Sequence, residues 1–213
     1  MTRTLLKLLL LVPLATGGCN ALAYLLHLGA PGQGTVAVKP EFAGLPDSRV
    51  AIVIFAGEGV QYAHPQARPE LSRLIADSLR KNVKNVTVVD PRQVMKYQDT
   101  NFHWDSLDRT KLGKQLNSDY VLFVSLIEFS TREQGMVNLL RGRILAEADL
   151  YKTSLPERDA RVWREAELGV IFPADRPIGI LGQNDSNVRL RTELLFAEKL
   201  VKKFYAHRAP KSK

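Results

Sequence analysis

The chain is poor in the residue types that form disulfides and bind catalytic metals. It has one cysteine, Cys19, in 213 residues, so it has neither an internal disulfide nor a set of cysteine ligands for zinc. It also lacks the His-Glu-x-x-His, Gly-x-Ser-x-Gly and Gly-Lys-Ser/Thr motifs of zinc proteases, serine hydrolases and phosphate loops. We therefore predict a protein that is not an enzyme, with no catalytic residue, no cofactor and no metal site.

The single cysteine follows an apolar run at the amino terminus. Basic residues precede the run Leu8–Ala15, and small residues stand directly before Cys19. A cationic start, an apolar run and small residues before a cysteine are typical of a bacterial lipoprotein signal. We predict a signal peptide over residues 1–18, lipidation of Cys19, and a mature chain held at a membrane by its acyl chains.

An uncleaved helix from Leu5 to about Leu28 is the alternative interpretation of this segment. Such a span needs about 20 apolar residues, and this one would contain Pro13, Asn20 and His27. Both interpretations predict that the rest of the chain lies on the exported side of a membrane in the bacterial cell envelope. For the lipoprotein we expect the outer membrane, facing the periplasm.

Length and composition predict one folded domain. Removal of the signal leaves 213 − 18 = 195 residues, and the whole chain is 45% hydrophobic and 24% charged, which is ordinary for a globular protein. A spacer rich in glycine follows the cysteine. We predict a lipidated tether and linker over 19–48, an α/β domain over 49–207 and a basic tail over 208–213.

The periodicity of apolar residues predicts the element order β-α-β-α-α-β-β-β-α. Continuous apolar runs are typical of strands buried on both faces. Stretches in which apolar and polar residues alternate are typical of antiparallel strands with one face in water. Strands are predicted at five stretches: 50–55, 86–89, 120–127, 140–151 and 161–172. We expect a single α/β domain with a mixed, roughly five-stranded sheet covered by helices.

The same patterns assign faces and helix ends. In the stretch 161–172, alternation places Val162 and Ala166 toward the core, and Trp163 and Glu165 toward water. Asp90 and Asp105 are predicted to cap helices. The helix predicted over 188–206 has a core-facing stripe at helical spacing, formed by Leu190, Leu194, Ala197, Val201 and Phe204.

The loop after the first strand is the place for a ligand crevice. Because ligands of open α/β sheets bind beyond the carboxyl ends of the strands, Glu58, Tyr62 and His64 are candidate crevice residues. Gly57-Glu58-Gly59 favours a turn that requires glycine torsions over a phosphate loop. His103 and His64 have no third ligand at a recognisable spacing, so we predict no metal site.

Several stretches of the chain resemble a known fold family. Arg49–Ile54, the amphipathic helix after it and Val86–Asp90 resemble the amino-terminal domain of TolB and the CsgG and LpoB envelope lipoproteins. The run Leu112–Leu122 and Trp163 continue the resemblance, which covers about residues 49 to 170. It implies the α/β fold and a non-enzymatic part in an envelope assembly.

Two further runs resemble a narrower group. Glu128–Glu133 and Asn138–Arg143 resemble stretches of small uncharacterised lipoproteins of planctomycete-type bacteria. That resemblance implies no activity.

Charge narrows the choice of partners. The formal net charge of +8 falls to 8 − 2 = +6 when the two basic residues of the signal are removed, which favours anionic partners such as lipid head groups or cell-wall polymers. Arg132, Arg141 and Arg143 are candidates for a positive end on the hairpin. We expect no nucleic acid partner for an exported protein.

The sequence as a whole predicts an interaction or assembly module with an envelope protein or a cell-wall partner. Two alternatives stay open: a small-ligand binder or enzyme that uses the crevice, and a purely structural surface lipoprotein. The sequence predicts no oligomeric state.

Overall fold

The computed structural model describes residues 35–133, 135–136, 138–175, 180 and 184–211. Cys19, the signal peptide and most of the predicted tether lie outside the described residues. The chain divides into a large compact unit, Lys39–His207, and a small one formed by its two ends. The strand Thr35–Val38 (β1) forms a two-stranded sheet with the last strand, His207–Pro210 (β7).

A mixed five-stranded sheet forms the centre of the large unit, as predicted. Its strands are Arg49–Ala56 (β2), Thr87–Val88 (β3), Tyr120–Arg132 (β4), Leu140–Lys152 (β5) and Arg161–Phe172 (β6). They are arranged in the order β3-β2-β4-β5-β6. β2 is parallel to β3 and β4, whereas β4, β5 and β6 are antiparallel neighbours. The sheet is therefore parallel where helices connect its strands and antiparallel where a hairpin does.

Among the described residues, five α-helices connect or follow these strands. They are Glu58–Ala63 (α1), Ala67–Asn82 (α2), Pro91–Thr100 (α3), Arg109–Gln115 (α4) and Asp185–Val201 (α5). The Asp90 carboxylate caps α3 by accepting a 2.9 Å hydrogen bond from the Arg92 N–H, as predicted. The predicted cap at Asp105 is wrong, because α4 begins three residues later and Asp108 accepts the 2.8 Å bond from the Thr110 N–H.

The sheet is buried on both faces only at its centre. On one face, β2, β4 and β5 pack against α2 and α5 and form the larger core cluster. On the other face, Ala51 and Val53 of β2 and Val121 and Phe123 of β4 pack against α3 and α4. This double cover explains why the central strands consist of continuous apolar runs. The fully buried Leu45 shows that the core also includes part of the stretch 39–48.

The face assignment in β6 is wrong at Trp163 and Ala166, because the strand is irregular there, whereas Leu168 and Val170 pack in the core as their alternation predicts. Ala146 pairs with Leu168 and Ala148 with Glu165, so two steps on β5 oppose three on β6. One extra residue moves the following side chains to the opposite face. Trp163 therefore turns toward the core, where its ring centroid lies 4.9 Å from that of Phe204. Ala166 is exposed.

The core stripe of α5 is also shifted from the predicted one. Leu190 and Leu194 are 44% and 42% exposed. The buried residues of α5 are Val188, Thr192, Glu193, Phe196, Ala197, Leu200 and Val201. Gly142 of β5 explains the choice of face, because a Cβ at this position would overlap the Thr192 hydroxyl. The close approach of β5 to the buried Thr192 therefore needs glycine at position 142.

Candidate functional site: a polar crevice and the outer face of α5

A crevice of about 460 Å³ opens where β2 ends. β2 leads into α1, while α3 ends on the opposite side, so helix ends and loops form its walls. The buried side chain of Gln98 donates a 3.1 Å hydrogen bond to the carbonyl of Ile54 and fixes the end of α3 to the strand. Other lining residues include Phe55, Glu58, Gln61, Arg68, Asp99, Phe102, Trp104 and Asp105.

Arg68 is the cation of this crevice. Its Nη2 lies 3.9 Å from Asp99 Oδ1, and its guanidinium carbon lies 5.9 Å from the centre of the Trp104 ring. Its Nε and Nη2 atoms are buried and have no hydrogen-bond partner. Three carboxylates, Glu58, Asp99 and Asp105, also line the space. A buried guanidinium beside carboxylates and aromatic rings is suited to holding a small ligand that carries both charges.

The structure does not bring the three predicted crevice residues together. Glu58 lines the crevice, whereas Tyr62 is 93% exposed. The ring of His64 lies 4.6 Å from that of Phe129, centre to centre. Burial lowers the pKa of His64, Arg189 lowers it further, and Asp185 opposes the shift. His64 is therefore a packing residue next to β4.

The glycine pair beside Glu58 does not form the predicted turn. Gly57 has a φ of −63° and directly precedes α1, and Gly59 lies within that helix. Neither residue has a positive φ, so the expected need for glycine torsions is wrong. No group of three or more His, Cys, Asp or Glu side chains among the described residues is placed to hold a metal ion.

The outer face of α5, defined by Leu190, Arg191, Leu194, Leu195 and Glu198, is the second feature. Its three leucines are 39–44% exposed. A groove of about 670 Å³ runs between this face and α2. The periodicity of the sequence identified this helix as amphipathic but placed two of these leucines in the core.

A buried carboxyl, Glu193, lies where α5 meets α2, next to Glu70. Glu193 is 1% exposed. Burial, and then the neighbouring Glu70 carboxylate, raise the pKa of Glu193 to about 8, whereas Arg189 and Arg73 oppose the shift. Arg189 Nε lies 3.3 Å from Glu70 Oε2. The sequence does not reveal this cluster, because its residues are distant along the chain and Glu193 follows two other polar residues, Arg191 and Thr192.

The arginines of the hairpin do not form an uncompensated positive end. Arg141 and Arg143 reach the Glu133 carboxylate at 3.0 and 2.7 Å, and Arg132 lies 3.5 Å from Asp185. The hydrogen bond from Arg141 lowers the pKa of Glu133 most, desolvation opposes it, and the charge and hydrogen bond of Arg143 lower the pKa further. These basic residues stabilise the hairpin and its contact with α5.

Comparison with known proteins gives structural matches. No protein-family model and no curated protein matches the chain. The PelC dodecamer from Paraburkholderia phytofirmans is 14% identical, with a TM-score of 0.46 over 78% of this chain and 96% of that chain. Lipoprotein GNA1162 from Neisseria meningitidis is 13% identical, with a TM-score of 0.39 over 70% of this chain and 94% of that chain. These likenesses concern the path of the chain alone.

The resemblance to TolB, CsgG and LpoB, and to planctomycete-type lipoproteins, stays a prediction. No helix within the described ranges has the length and apolar character needed to cross a membrane.

Proposed function

We propose that the chain is a lipid-anchored envelope lipoprotein that acts as a non-enzymatic interaction or assembly module. The observation that carries this proposal is the outer face of α5, where three leucines are exposed side by side on one helix. Leucines scattered singly over a surface are ordinary, whereas a contiguous apolar patch rimmed by charges is typical of a contact site. The rim here includes Arg191 and Glu198, with Asp77 and Lys81 on α2.

The anchor in this proposal is Cys19. The motif around it supports a signal over residues 1–18, cleavage before the cysteine, and a mature chain on the periplasmic side of the outer membrane. Two or three acyl chains give durable attachment, because each buried methylene contributes about 0.8 kcal/mol.

Changing Cys19 to serine tests the anchor. We expect the parent chain to incorporate a radioactive fatty acid, and the Cys19→Ser chain to incorporate none and keep its signal peptide, because the acyl acceptor is the thiol. Electrophoresis of labelled cells measures both the incorporated label and the size of the chain, which shows whether the signal peptide is retained. Label on the serine variant would instead favour the uncleaved helix from Leu5 to about Leu28.

A small-ligand binder is the second candidate function. The observation in its favour is Arg68, whose buried Nε and Nη2 lack hydrogen-bond partners. With carboxylates nearby, the crevice suits a zwitterion such as an amino acid or a short peptide, whose carboxylate would approach Arg68 and whose ammonium group would approach Asp99 or Asp105.

Variants of the two sites distinguish the two functions. If the chain is an interaction module, Leu194→Asp reproduces the phenotype of the gene deletion, whereas Arg68→Gln and Glu58→Gln leave the cell normal. A ligand-binding function predicts the reverse order. Thermal denaturation in the presence of a dipeptide gives a direct measure, because a bound ligand raises the midpoint of the parent but not that of Arg68→Gln.

A further inference from the structure

The outer face of α5 has a symmetric order of side chains. Leu194 and Leu195 lie at its centre, Arg191 stands three residues before this pair, and Glu198 stands three residues after it. All four side chains are exposed. When a second copy of α5 is laid antiparallel with its centre on the same leucine pair, each Arg191 lies opposite a Glu198 and each Leu194 lies opposite a Leu195.

We propose that two copies of the chain associate through α5 around a two-fold axis that passes between Leu194 and Leu195. A two-fold interface requires a surface that is complementary to itself, and the order Arg191, Leu194, Leu195, Glu198 meets that requirement. This inference rests on the proposed interaction function and identifies its partner as a second copy of the same chain.

The charges of the single chain leave room for this pairing. Arg191 makes no ion pair with any residue within the described ranges. Glu198 is held 2.7 Å from Lys202 on the same helix, but a carboxylate accepts several bonds and an exposed i,i+4 pair contributes only about 0.3–0.5 kcal/mol. On the neighbouring helix, Asp77 is already shared by Arg73 and Arg80. Arg191 is therefore available to the partner's Glu198.

The membrane favours this association. A single pair of helices contributes less than the roughly 1,200 Å² that a stable interface in solution buries. Anchoring both copies to one bilayer raises their effective concentration, so a small interface suffices. The pairing is therefore best tested in membranes, with the full chain.

Disulfide cross-linking tests the axis directly. If Cys19 is acylated, a cysteine introduced at position 194 is the only free thiol of the chain. In the antiparallel pair the two copies of position 194 are one residue step apart, and their Cα atoms come within the reach of a disulfide. We expect Leu194→Cys to give a covalent dimer when isolated membranes are treated with an oxidant, and the unsubstituted chain to give none.

Leu190→Cys is the matched control, on the same face and equally exposed. Its two copies are nine residue steps apart along the axis, about 13.5 Å at 1.5 Å per residue. That separation exceeds the roughly 7 Å limit for a disulfide between Cα atoms. Equal dimer formation at positions 190 and 194 would contradict the antiparallel pair and indicate random collision or a parallel one.

A charge exchange provides the second test. In the Leu194→Cys background, Arg191→Glu or Glu198→Arg alone places like charges opposite each other twice, and we expect each to reduce the dimer yield several-fold. The double variant again places an acidic side chain opposite a basic one at both contacts, with the two charges exchanged between positions 191 and 198. We therefore expect it to restore the dimer yield. Failure of the double variant to recover would overturn the proposal.

The outcomes separate this inference from the proposed function. An acylated chain whose Leu194→Cys variant gives no dimer refutes the self-association and leaves the lipoprotein in place. A covalent product with a different protein refutes the second copy as occupant and identifies another partner for the same face. A chain without fatty acid at Cys19 refutes the proposed anchor, whatever the cross-linking shows.

Discussion

Glu193 is the residue whose environment departs furthest from what its type would lead one to expect. It lies on the inward side of α5, next to the carboxylate of Glu70 and near Arg189 and Arg73. Its Oε1 is buried and has no hydrogen-bond partner. Burial disfavours the charged form, and ionisation would also place a second negative charge beside Glu70, so the neutral acid is the favoured form at pH 7.

This arrangement makes stability depend on pH. The pKa of Glu193 is about 8 in the folded chain, against an ordinary value of 4.5, so the folded state holds a proton that the unfolded state has released. The free energy of unfolding therefore falls as pH rises from about 4.5 to about 8, by at most about 1.4 kcal/mol per pH unit. Above about pH 8 the folded state has also released this proton, so Glu193 no longer makes the free energy of unfolding depend on pH.

Glu193→Gln should remove that dependence. The amide has nearly the shape of the neutral acid and does not titrate, so we expect the variant to gain stability relative to the parent between pH 4.5 and 8. Chemical denaturation at a series of pH values measures the difference. Glu198→Gln, on the exposed side of the same helix, is the control that should keep the parent's profile. An unchanged profile for Glu193→Gln would show that Glu193 is ionised in the fold.

At the scale of elements, α5 and β6 show what periodicity predicts and where it stops. The existence and type of both elements and the ends of β6 are correct, because apolar spacing distinguishes a helix from a strand, whereas α5 begins three residues and ends five residues earlier than predicted. Each predicted face is wrong in part, and for different reasons. In β6 an extra residue shifts the alternation, and bulges leave no mark in a hydrophobic pattern. In α5 apolar residues cover more than one side, so the contact between Gly142 and Thr192 selects the buried side.

Two substitutions on α5 distinguish its faces. Val201 is fully buried, so Val201→Asp places an unpaired charge in the core and should cost several kcal/mol of a total of about 5–15. Leu194→Asp should change the stability of the dilute full chain by less than about 1 kcal/mol, because surface substitutions are mild.

Thermal and chemical denaturation of both variants check this expectation. A large loss for Leu194→Asp in dilute solution would mean that the sequence-based core stripe is correct after all. A mild effect of Val201→Asp would mean that the carboxyl-terminal end of α5 detaches from the sheet.

For the crevice, too, the sequence predicts the position of the site but not the side chains that line it. Its position beyond the end of β2 follows from the strand order and was predictable. Its lining was not, because Arg68 comes from α2, and Asp99 and Trp104 come from the end of α3 and the loop after it. Tyr62 and His64 are closer to Glu58 along the chain, yet neither lines the crevice, because Tyr62 extends into solvent and His64 packs against Phe129.

For the molecule as a whole, the chain has no internal disulfide, so the packing of its apolar core must supply its stability. The larger cluster lies between the sheet and the pair α2 and α5, and the smaller one lies under α3 and α4. β2 and β4 contribute alternate side chains to both clusters. Loss of either cluster would expose one apolar face of these same two central strands, so we expect the large unit to unfold as one cooperative structure.

The two tryptophans report on the two clusters separately. Trp104 packs 6.1 Å from Phe55 and 6.3 Å from Phe123, between ring centres, in the smaller cluster. Trp163 packs against Phe204 beside the larger one. Trp104→Phe and Trp163→Phe therefore each leave one fluorescent probe, and the conservative change keeps an aromatic ring in place.

In each single-tryptophan variant, we expect the denaturant midpoint from fluorescence to coincide with the midpoint from far-ultraviolet circular dichroism. The two variants will differ from the parent in stability, so the comparison is made within each variant and not between them. Because β2 and β4 carry both clusters, loss of α3 and α4 alone would leave Ala51, Val53 and Phe123 in water, which is too costly for a populated intermediate. Fluorescence of Trp104 that changes at a lower denaturant concentration than the circular dichroism would show that the smaller cluster opens first, and that the sheet is held mainly by α2 and α5.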